Sequence, residues 1–254
     1  MSSYLFSEGR ISTRQKISAF IRRIIKRPIN KLGIDLVVYD PHHTIGRYAY
    51  LLKFDIKTVI DTGAHAGDFA RTIKRLLPGA RIISIEPLKD IFVQLENSMR
   101  GVPGFSAFNC ALGETNTTRQ LHCNTYTYSS SLLPMTNLHK RAFPHTTQET
   151  METVEVRRLD DLLDGLALQP DILVKLDVQG YEDKVIAGGE RLIERAKVLI
   201  IEVSFQELYE GQPLFDDIYR LLKSKGFTYM GNIYQLLNPL DDSILQADAI
   251  FIRE

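Results

Sequence analysis

The stretch Thr58-Val-Ile-Asp-Thr-Gly-Ala-His-Ala-Gly67 constrains this chain more than any other. Thr58 to Ile60 reads as a short buried strand, closed by Asp61. Gly63 and Gly67 bracket the turn that follows, where a residue without Cβ lets the backbone go left-handed or lie close to a ligand. From Asp68 to Leu77, apolar residues recur at Phe69, Ala70, Ile73, Leu76 and Leu77, one face of a helix. A strand, a tight turn and a helix N-terminus in this order offer backbone N–H groups to an anion.

The rest of the chain extends the same rhythm. Pro78-Gly79 makes a turn, and Ala80–Ile85 forms a second strand ending at Glu86-Pro87. Ile91, Phe92, Leu95 and Met99 set a second helix, and Phe105–Leu112 reads as a third strand stopped by Gly113. This β-α-β-α-β order predicts a parallel sheet with covering helices. Residues Glu114 to Glu155 break the pattern with Tyr126, Tyr128, the run Ser129–Ser131, His139, Phe143 and His145. They are expected to form a long irregular insertion, of the kind that serves as a lid or binding loop.

Regular structure returns at Val154–Arg157 and in a helix over Leu159–Leu166. A fourth parallel strand, Asp171–Leu176, closes on Asp177-Val-Gln-Gly180. Helices over Tyr181–Ala187 and Arg191–Arg195, a fifth strand at Lys197–Val203, and a helix from Phe215 to Leu222 follow. Phe227–Gly231 and Ala247–Ile252 are joined by a loop too short for a parallel crossover, so they should pair antiparallel.

Composition bounds the function. With 254 residues and 44% apolar content, the chain can build a core without staples. Formal net charge is zero, which gives no global attraction for nucleic acid. Cys110 and Cys123 have no metal-ligand spacing and suggest a reducing compartment. The sequence shows no signal-peptide h-region and no apolar run near the roughly 20 residues of a membrane span. A cytoplasmic location is the expectation. Residues 1–31 stand apart, with eight Lys or Arg against Glu8 alone and a helical stripe at Ile17, Phe20, Ile21, Ile24 and Ile25. Such a basic amphipathic helix serves either as a packing arm, on the domain or on a second copy, or as a membrane-surface element. Residues 1–55 are thus read as this helix plus a lead-in segment, and 56–254 as the main domain.

Ligands of open α/β sheets bind outside the carboxyl ends of the strands. Four such ends carry acids here: Asp61, Glu86, Asp177 and Glu202. A carboxylate after the second strand suits the two ribose hydroxyls of an adenosine. A dinucleotide site also needs G-x-G-x-x-G, whereas this chain places Asp61 where the first glycine would stand. An acid there repels pyrophosphate and suits an ammonium group. The residues therefore favour S-adenosyl-L-methionine over a nicotinamide cofactor. A nicotinamide-dependent oxidoreductase and a non-catalytic S-adenosylmethionine-binding scaffold remain as alternatives.

From about Ile56 to Glu254 the chain resembles the FkbM family of S-adenosylmethionine-dependent methyltransferases. The resemblance rests on Val59–Gly67, Ile85-Glu-Pro87, Cys110-Ala-Leu-Gly113, the serine run, Arg158-Leu-Asp-Asp-Leu-Leu163, Val174-Lys-Leu-Asp-Val-Gln-Gly-Tyr-Glu182 and Ile201-Glu202. The family pattern after the fourth strand carries a glutamate where Gln179 stands. The resemblance implies a class I Rossmann-like methyltransferase: a seven-stranded mixed sheet, last strand antiparallel, helices on both faces. It also implies methyl transfer to a hydroxyl of a sugar or secondary metabolite. The expected cofactor-binding residues are Asp61, Gly63, His65, Gly67, Glu86, Pro87, Cys110, Ala111 and Asp177. The expected catalytic or acceptor-positioning residues are Asp177, Lys175, Glu182 and Glu202. No metal ligands are assigned, and the insertion at 114–155 is expected to shape the acceptor pocket.

Overall fold

The computed structural model describes residues 46–253 apart from Thr125. The basic amphipathic helix expected within residues 1–31 lies outside the described residues. A 3-10 turn at Ala49–Lys53 opens the described part, with Leu51 buried. The chain then runs β1 (Thr58–Thr62), α1 (Asp68–Leu76), β2 (Arg81–Ile85), α2 (Lys89–Ser98), β3 (Phe105–Phe108), β4 (Ala111–Leu112), β5 (Thr117–Asn124) and α3 (Asn137–Ala142). It continues with β6 (Glu149–Arg157), α4 (Leu159–Leu162), β7 (Ile172–Leu176), α5 (Glu182–Gly188), α6 (Glu190–Arg195), β8 (Ala196–Ser204), α7 (Phe215–Ser224), β9 (Thr228–Leu237) and β10 (Ile244–Ile252).

Seven strands form one sheet in the order β3-β2-β1-β7-β8-β10-β9. β1, β2, β3, β7 and β8 pair in parallel, and β10 runs antiparallel to both β8 and β9. The strands alternate their side chains between two cores, as the pleat requires. Ile60, Ile83, Val174 and Leu199 point to one face, where Val185, Ile193 and Ile218 of α5, α6 and α7 cover them. Val59, Ile82, Leu173 and Ile200 point to the other, under Phe69, Ile73 and Leu95 of α1 and α2. Tyr48 and Leu51 also pack into this second core. Burial on both faces explains why these strands read as continuous apolar runs. The expected fold is therefore found: an α/β, class I Rossmann-like arrangement with the last strand antiparallel.

Four expectations need correction. The third strand does not run through to Leu112. It stops at Phe108, and the Asn109 side chain donates to the carbonyls of Glu86 and Pro87 at 2.8 and 2.9 Å. Ala111-Leu112 instead joins a second sheet, β4-β6-β5. The segment 114–155 is accordingly not irregular. β5 and β6 pair antiparallel over eight residues, Thr117↔Val156 through Asn124↔Glu149. Their sequence hides this because much of each strand is solvated. Leu121, Val154 and Val156 are their buried members of the small core that Leu88, Ile91 and Ala111 complete, with Cys123 half-buried against it. The helix at Leu159 ends at Leu162 rather than Leu166. The final hairpin is longer than the apolar runs suggest, because β9 carries exposed Met230, Tyr234 and Leu237.

Among the described residues, no helix is long and apolar enough to cross a membrane.

Candidate active site

The carboxyl ends of β1, β2, β7 and β8 border a cavity of about 440 Å³, roofed by part of the 114–155 segment. Gly63, His65, Glu86, Pro87, Cys110, Ala111, Asp177 and Glu202 all line it. Neighbouring strands stand about 4.8 Å apart. The order β2-β1-β7-β8 thus spaces Glu86 from Asp177 by two strands and Asp177 from Glu202 by one.

The turn after β1 is shaped by packing. Gly63 has φ +68, and a Cβ there would stand 1.8 Å from the Asp177 carbonyl oxygen. The ends of β1 and β7 therefore approach too closely for any side chain. Gly67 has φ +88 and faces Ser98 and Leu95 of α2, with a Cβ 2.8 and 2.9 Å from them. It serves helix packing and does not line the cavity. The turn amides, expected to be free for an anion, are largely used internally. Ala64 N–H donates to the Ile85 carbonyl (3.0 Å) and Gly67 N–H to that of Ala64 (3.0 Å). His65 N–H donates to Glu86 Oε2 at 2.9 Å.

Glu86 is 5% exposed, and its Oε1 accepts the Leu88 N–H at 2.9 Å. Burial pushes its carboxyl up to about 7, against the pull of the two backbone donors. Each carboxylate oxygen retains capacity to accept one more hydrogen bond. Cys110, pushed up to about 12 by burial, is a neutral part of the wall beside Ala111.

Asp61 was expected to meet the ligand, but the structure buries it beneath the turn, off the cavity wall. Its Oδ2 accepts from Ser84 Oγ at 3.1 Å, and Oδ1 has no partner among the described residues. Burial raises it to about 6, with the Lys175 charge opposing. Lys175 is also behind the wall. Its Nζ lies 2.6 Å from Asp177 Oδ2 and 5.4 Å from the Phe69 ring centre. Burial would lower the Lys175 pKa, but the carboxylates of Asp177, Asp61 and Asp248 raise it further, so the ammonium is fixed. Glu182 does not reach the cavity either. Its Oε1 accepts the N–H groups of Val178 (2.9 Å) and Gly180 (3.3 Å), which ties down the loop after β7. All three are buried, and each is held there by a backbone or side-chain partner.

Sequence reasoning assigned no role to two side chains on the wall, Gln179 and Gln246, and did not foresee how His139 is buried there. Gln179, at φ +56, reaches both acids at this end: its Nε2 donates to Asp177 Oδ1 (3.0 Å) and Glu202 Oε2 (2.8 Å). Gln246 on β10 donates to the same Glu202 oxygen at 3.0 Å. Burial, with Asp177 and Glu182 nearby, holds Glu202 well above the usual carboxylate range. His139 on α3 is 3% exposed, and burial lowers it to about 4. The departure from the family glutamate was the one sequence signal for Gln179; nothing local marks Gln246.

The roof is Tyr126–Ser131. His65 stacks on Tyr128 with ring centres 3.6 Å apart, and its Nε2 lies 2.7 Å from Thr127 Oγ1. Burial lowers the His65 pKa, against the pull of Asp68 and Asp177. Ser131 Oγ donates to the Gln179 carbonyl at 2.7 Å. The serine run thus fastens the roof to the loop after β7. Among the described residues, no cluster of three or more His, Cys, Asp or Glu could hold a metal ion.

The profile of the Methyltransferase FkbM domain matches residues 61–229. The 2-O-methyltransferase NoeI of Sinorhizobium fredii is 28% identical over 221 residues, covering 84% of this chain and 86% of that protein. Methyltransferase 1 of Beauveria bassiana is 28% identical over 185 residues, covering 68% and 73%. A solved structure, Methyltransferase FkbM from Methylobacillus flagellatus, superposes with a TM-score of 0.49 at 16% identity. That match covers 78% of this chain and 44% of that one, so this chain spans less than half of the solved protein.

Proposed function

Since the chain belongs to the FkbM methyltransferase family, we propose that it methylates a hydroxyl oxygen of a sugar or secondary metabolite, with S-adenosylmethionine as donor. The observation that carries this reading is the shared cavity, which brings Glu86 and Asp177 onto one wall two strands apart. That span is on the scale of a nucleoside joined to an amino acid. The acceptor class draws on NoeI, which is a 2-O-methyltransferase.

The cavity fits the cofactor. Glu86 is the diol ligand: its two oxygens, already oriented by His65 and Leu88 N–H, accept the ribose hydroxyls. Two incoming donors favour its ionised form. Cys110 and Ala111 give an apolar wall for the base, and Gly63 and His65 flank the amino-acid portion. Asp61 acts from beneath, through Lys175 and the turn. When bound, the cofactor supplies an electrophilic methyl carbon, whose bond to sulfur breaks as the acceptor oxygen bonds to it, leaving a thioether.

We assign to Asp177 the role of taking the acceptor's proton, with the Lys175 ammonium 2.6 Å from its Oδ2. Alignment of acceptor oxygen and methyl supplies much of the acceleration, and the roof with His139, Phe143 and His145 holds the acceptor for it. Glu202 and Gln179 border the acceptor side. Glu182 acts as a positioning residue through the loop after β7.

The domain comprises residues 56–254, and residues 1–31 supply a contact to a membrane surface or to a second copy of a cytoplasmic enzyme. Loss of anionic-vesicle binding on deleting 1–31 supports the membrane contact. For the reaction, labelled S-adenosylmethionine is offered with a panel of neutral glycosides and hydroxylated metabolites. Asp177→Asn should lower turnover by about 10²–10⁴-fold, as loss of a positioned base does, while S-adenosylhomocysteine still binds. Undiminished turnover in Asp177→Asn, or no transfer to any hydroxyl, sinks the reading.

A further inference from the structure

Six of the rings that line the cavity form a continuous chain. His65 lies on Tyr128 with ring centres 3.6 Å apart, Tyr128 is 5.4 Å from Tyr126, and Tyr126 is 5.3 Å from His145. His145 is 6.3 Å from Phe143, and Phe143 is 5.5 Å from His139. Their surroundings differ. Tyr128 has one face covered by His65, and His139 is buried. Tyr126 is 48% exposed and belongs to none of the apolar clusters of the described residues. Its aromatic neighbours meet it at 40° and 82°, so neither lies flat on it. Tyr126 is thus a large ring on the cavity wall that serves no core and keeps a face for a ligand.

The strand side of the same cavity has the opposite character. Glu86, Asp177 and Glu202 line it, and among the described residues no Lys or Arg does. The nearest ammonium, Lys175, is behind the wall with its Nζ on Asp177. Gln179 spends both amide hydrogens on Asp177 and Glu202, and Gln246 gives one to Glu202. What this side offers a ligand is therefore mainly carboxyl oxygen, without a cationic donor. A phosphate or carboxylate would find none of the Arg or Lys partners it needs and would face carboxyl groups instead. A wholly apolar molecule would strip water from those groups and return no hydrogen bond. A ring with an apolar C–H face and several O–H donors at its edge satisfies both sides, and a sugar has that form.

We propose that Tyr126 is an acceptor-binding residue on which the C–H face of a sugar ring lies, with the ring's hydroxyls turned to Asp177, Glu202 and Gln246, and that the sugar carries no phosphate or carboxylate. The proposal rests on the reading of the chain as an O-methyltransferase and narrows its acceptor. Tyr126 acts through its ring face, so its hydroxyl is dispensable and its planarity is not. It binds the acceptor away from the reacting oxygen, so its loss should appear in KM rather than in kcat.

The test is transfer of labelled methyl from S-adenosylmethionine by the full chain, Tyr126→Phe, Tyr126→Leu and Tyr126→Ala. The acceptors are methyl glycosides, the same sugars as 6-phosphates and uronic acids, and simple phenols. S-adenosylhomocysteine affinity is measured alongside by calorimetry. Glycosides should accept methyl, and the anionic forms should lose about a hundredfold in kcat/KM. Tyr126→Ala and Tyr126→Leu should each raise the glycoside KM about tenfold at unchanged kcat and unchanged S-adenosylhomocysteine affinity, the scale of one aromatic stack. Tyr126→Phe should keep the KM of the full chain. An unchanged KM in Tyr126→Ala overturns the inference. So does a KM kept by Tyr126→Leu, which would make the residue apolar wall only, or a 6-phosphate used as well as its parent glycoside. Loss of S-adenosylhomocysteine affinity in parallel with the rise in KM overturns it too. Transfer to phenols but to no glycoside removes this inference and leaves the O-methyltransferase reading. Absence of transfer to any hydroxyl removes the reading beneath it.

Discussion

Glu86 follows β2 and Glu202 lies near the carboxyl end of β8, at one edge of the same sheet, yet they are held by different kinds of partner. Glu86 is gripped by main chain, through the N–H groups of His65 and Leu88, within a turn whose glycines permit the fold. Glu202 is gripped by side chains, Gln179 and Gln246, from two other parts of the chain. A backbone grip is set by local geometry and tolerates little change. A side-chain grip depends on which residue evolution leaves at a distant position, and it can be retuned one substitution at a time. On the proposed reading, the donor end would accordingly be built to hold a fixed molecule, and the acceptor end to be adjusted.

The most severe way to break this contrast is Gly63→Ala. The new Cβ would overlap the Asp177 carbonyl and occupy a φ of +68. Neither backbone can move without unpairing β1 from β7. Destabilisation should exceed about 3 kcal/mol, in the range reserved for severe steric damage. Gly79, where a Cβ meets nothing within 4 Å, should tolerate alanine within about 0.5 kcal/mol. Denaturant unfolding of the two variants measures the difference, and similar midpoints would show that packing does not dictate the turn.

The next test separates the two acids. Glu86→Ala should weaken S-adenosylhomocysteine binding by about ten- to a hundredfold, the value of hydrogen bonds to a charged group. Glu202→Ala should leave that affinity near normal and lower turnover instead. Calorimetry on both variants decides, and equal losses of affinity would erase the distinction between the ends.

A third prediction concerns both ends without ligand. Asp61, Glu86 and Glu182 have folded-state values near 6, 7 and 7, above their ordinary range. Between about pH 5 and 7 the folded protein therefore binds more protons than the unfolded chain at these groups. By linkage, that part of the stability falls as pH rises. His139, lowered to about 4, contributes the opposite slope up to its unfolded value near 6.5. Asp248, near 6, and Glu202 are raised as well, and His65 is lowered like His139, so five carboxyls against two imidazoles leave a net loss. The thermal midpoint of the unliganded protein should be several degrees lower at pH 8 than at pH 5. Glu86→Gln should flatten the dependence.

The same contrast governs what the sequence discloses. The main sheet, its order and the antiparallel last strand follow from apolar runs and loop lengths, because burial on both faces writes itself into local composition. The turn at 63–67 and Glu86 follow from glycine spacing and strand ends. Asp61, Lys175 and Glu182 were assigned to the site by type and position, but depth below the wall depends on Ser84, Phe69 and the loop after β7, which no spacing reveals. Gln179 and Gln246 lie 67 residues apart, and only the pairing of β10 with β8 brings them to one oxygen. The second sheet stayed hidden because three buried side chains are too few to set a period.

The roof touches both ends, and the smallest predicted effect lies there. Tyr128 stacks on His65, and its hydroxyl donates to Asp68 Oδ2 at 3.0 Å in partly solvated surroundings. Ser131 holds the opposite end of the roof to Gln179. Tyr128→Phe keeps the stack and loses only an exposed hydrogen bond, so stability should fall by about 0.5 kcal/mol or less. Affinity for S-adenosylhomocysteine should not change. Tyr128→Ala removes the stack as well, frees His65 from its cover, and should raise the acceptor KM more than it changes cofactor affinity. If Tyr128→Phe alone lowers turnover severalfold at constant affinity, the bond to Asp68 transmits strain from α1 through the roof to Gln179. The two ends would then be coupled, and the division between a fixed donor end and an adjustable acceptor end would hold for their construction but not for their action.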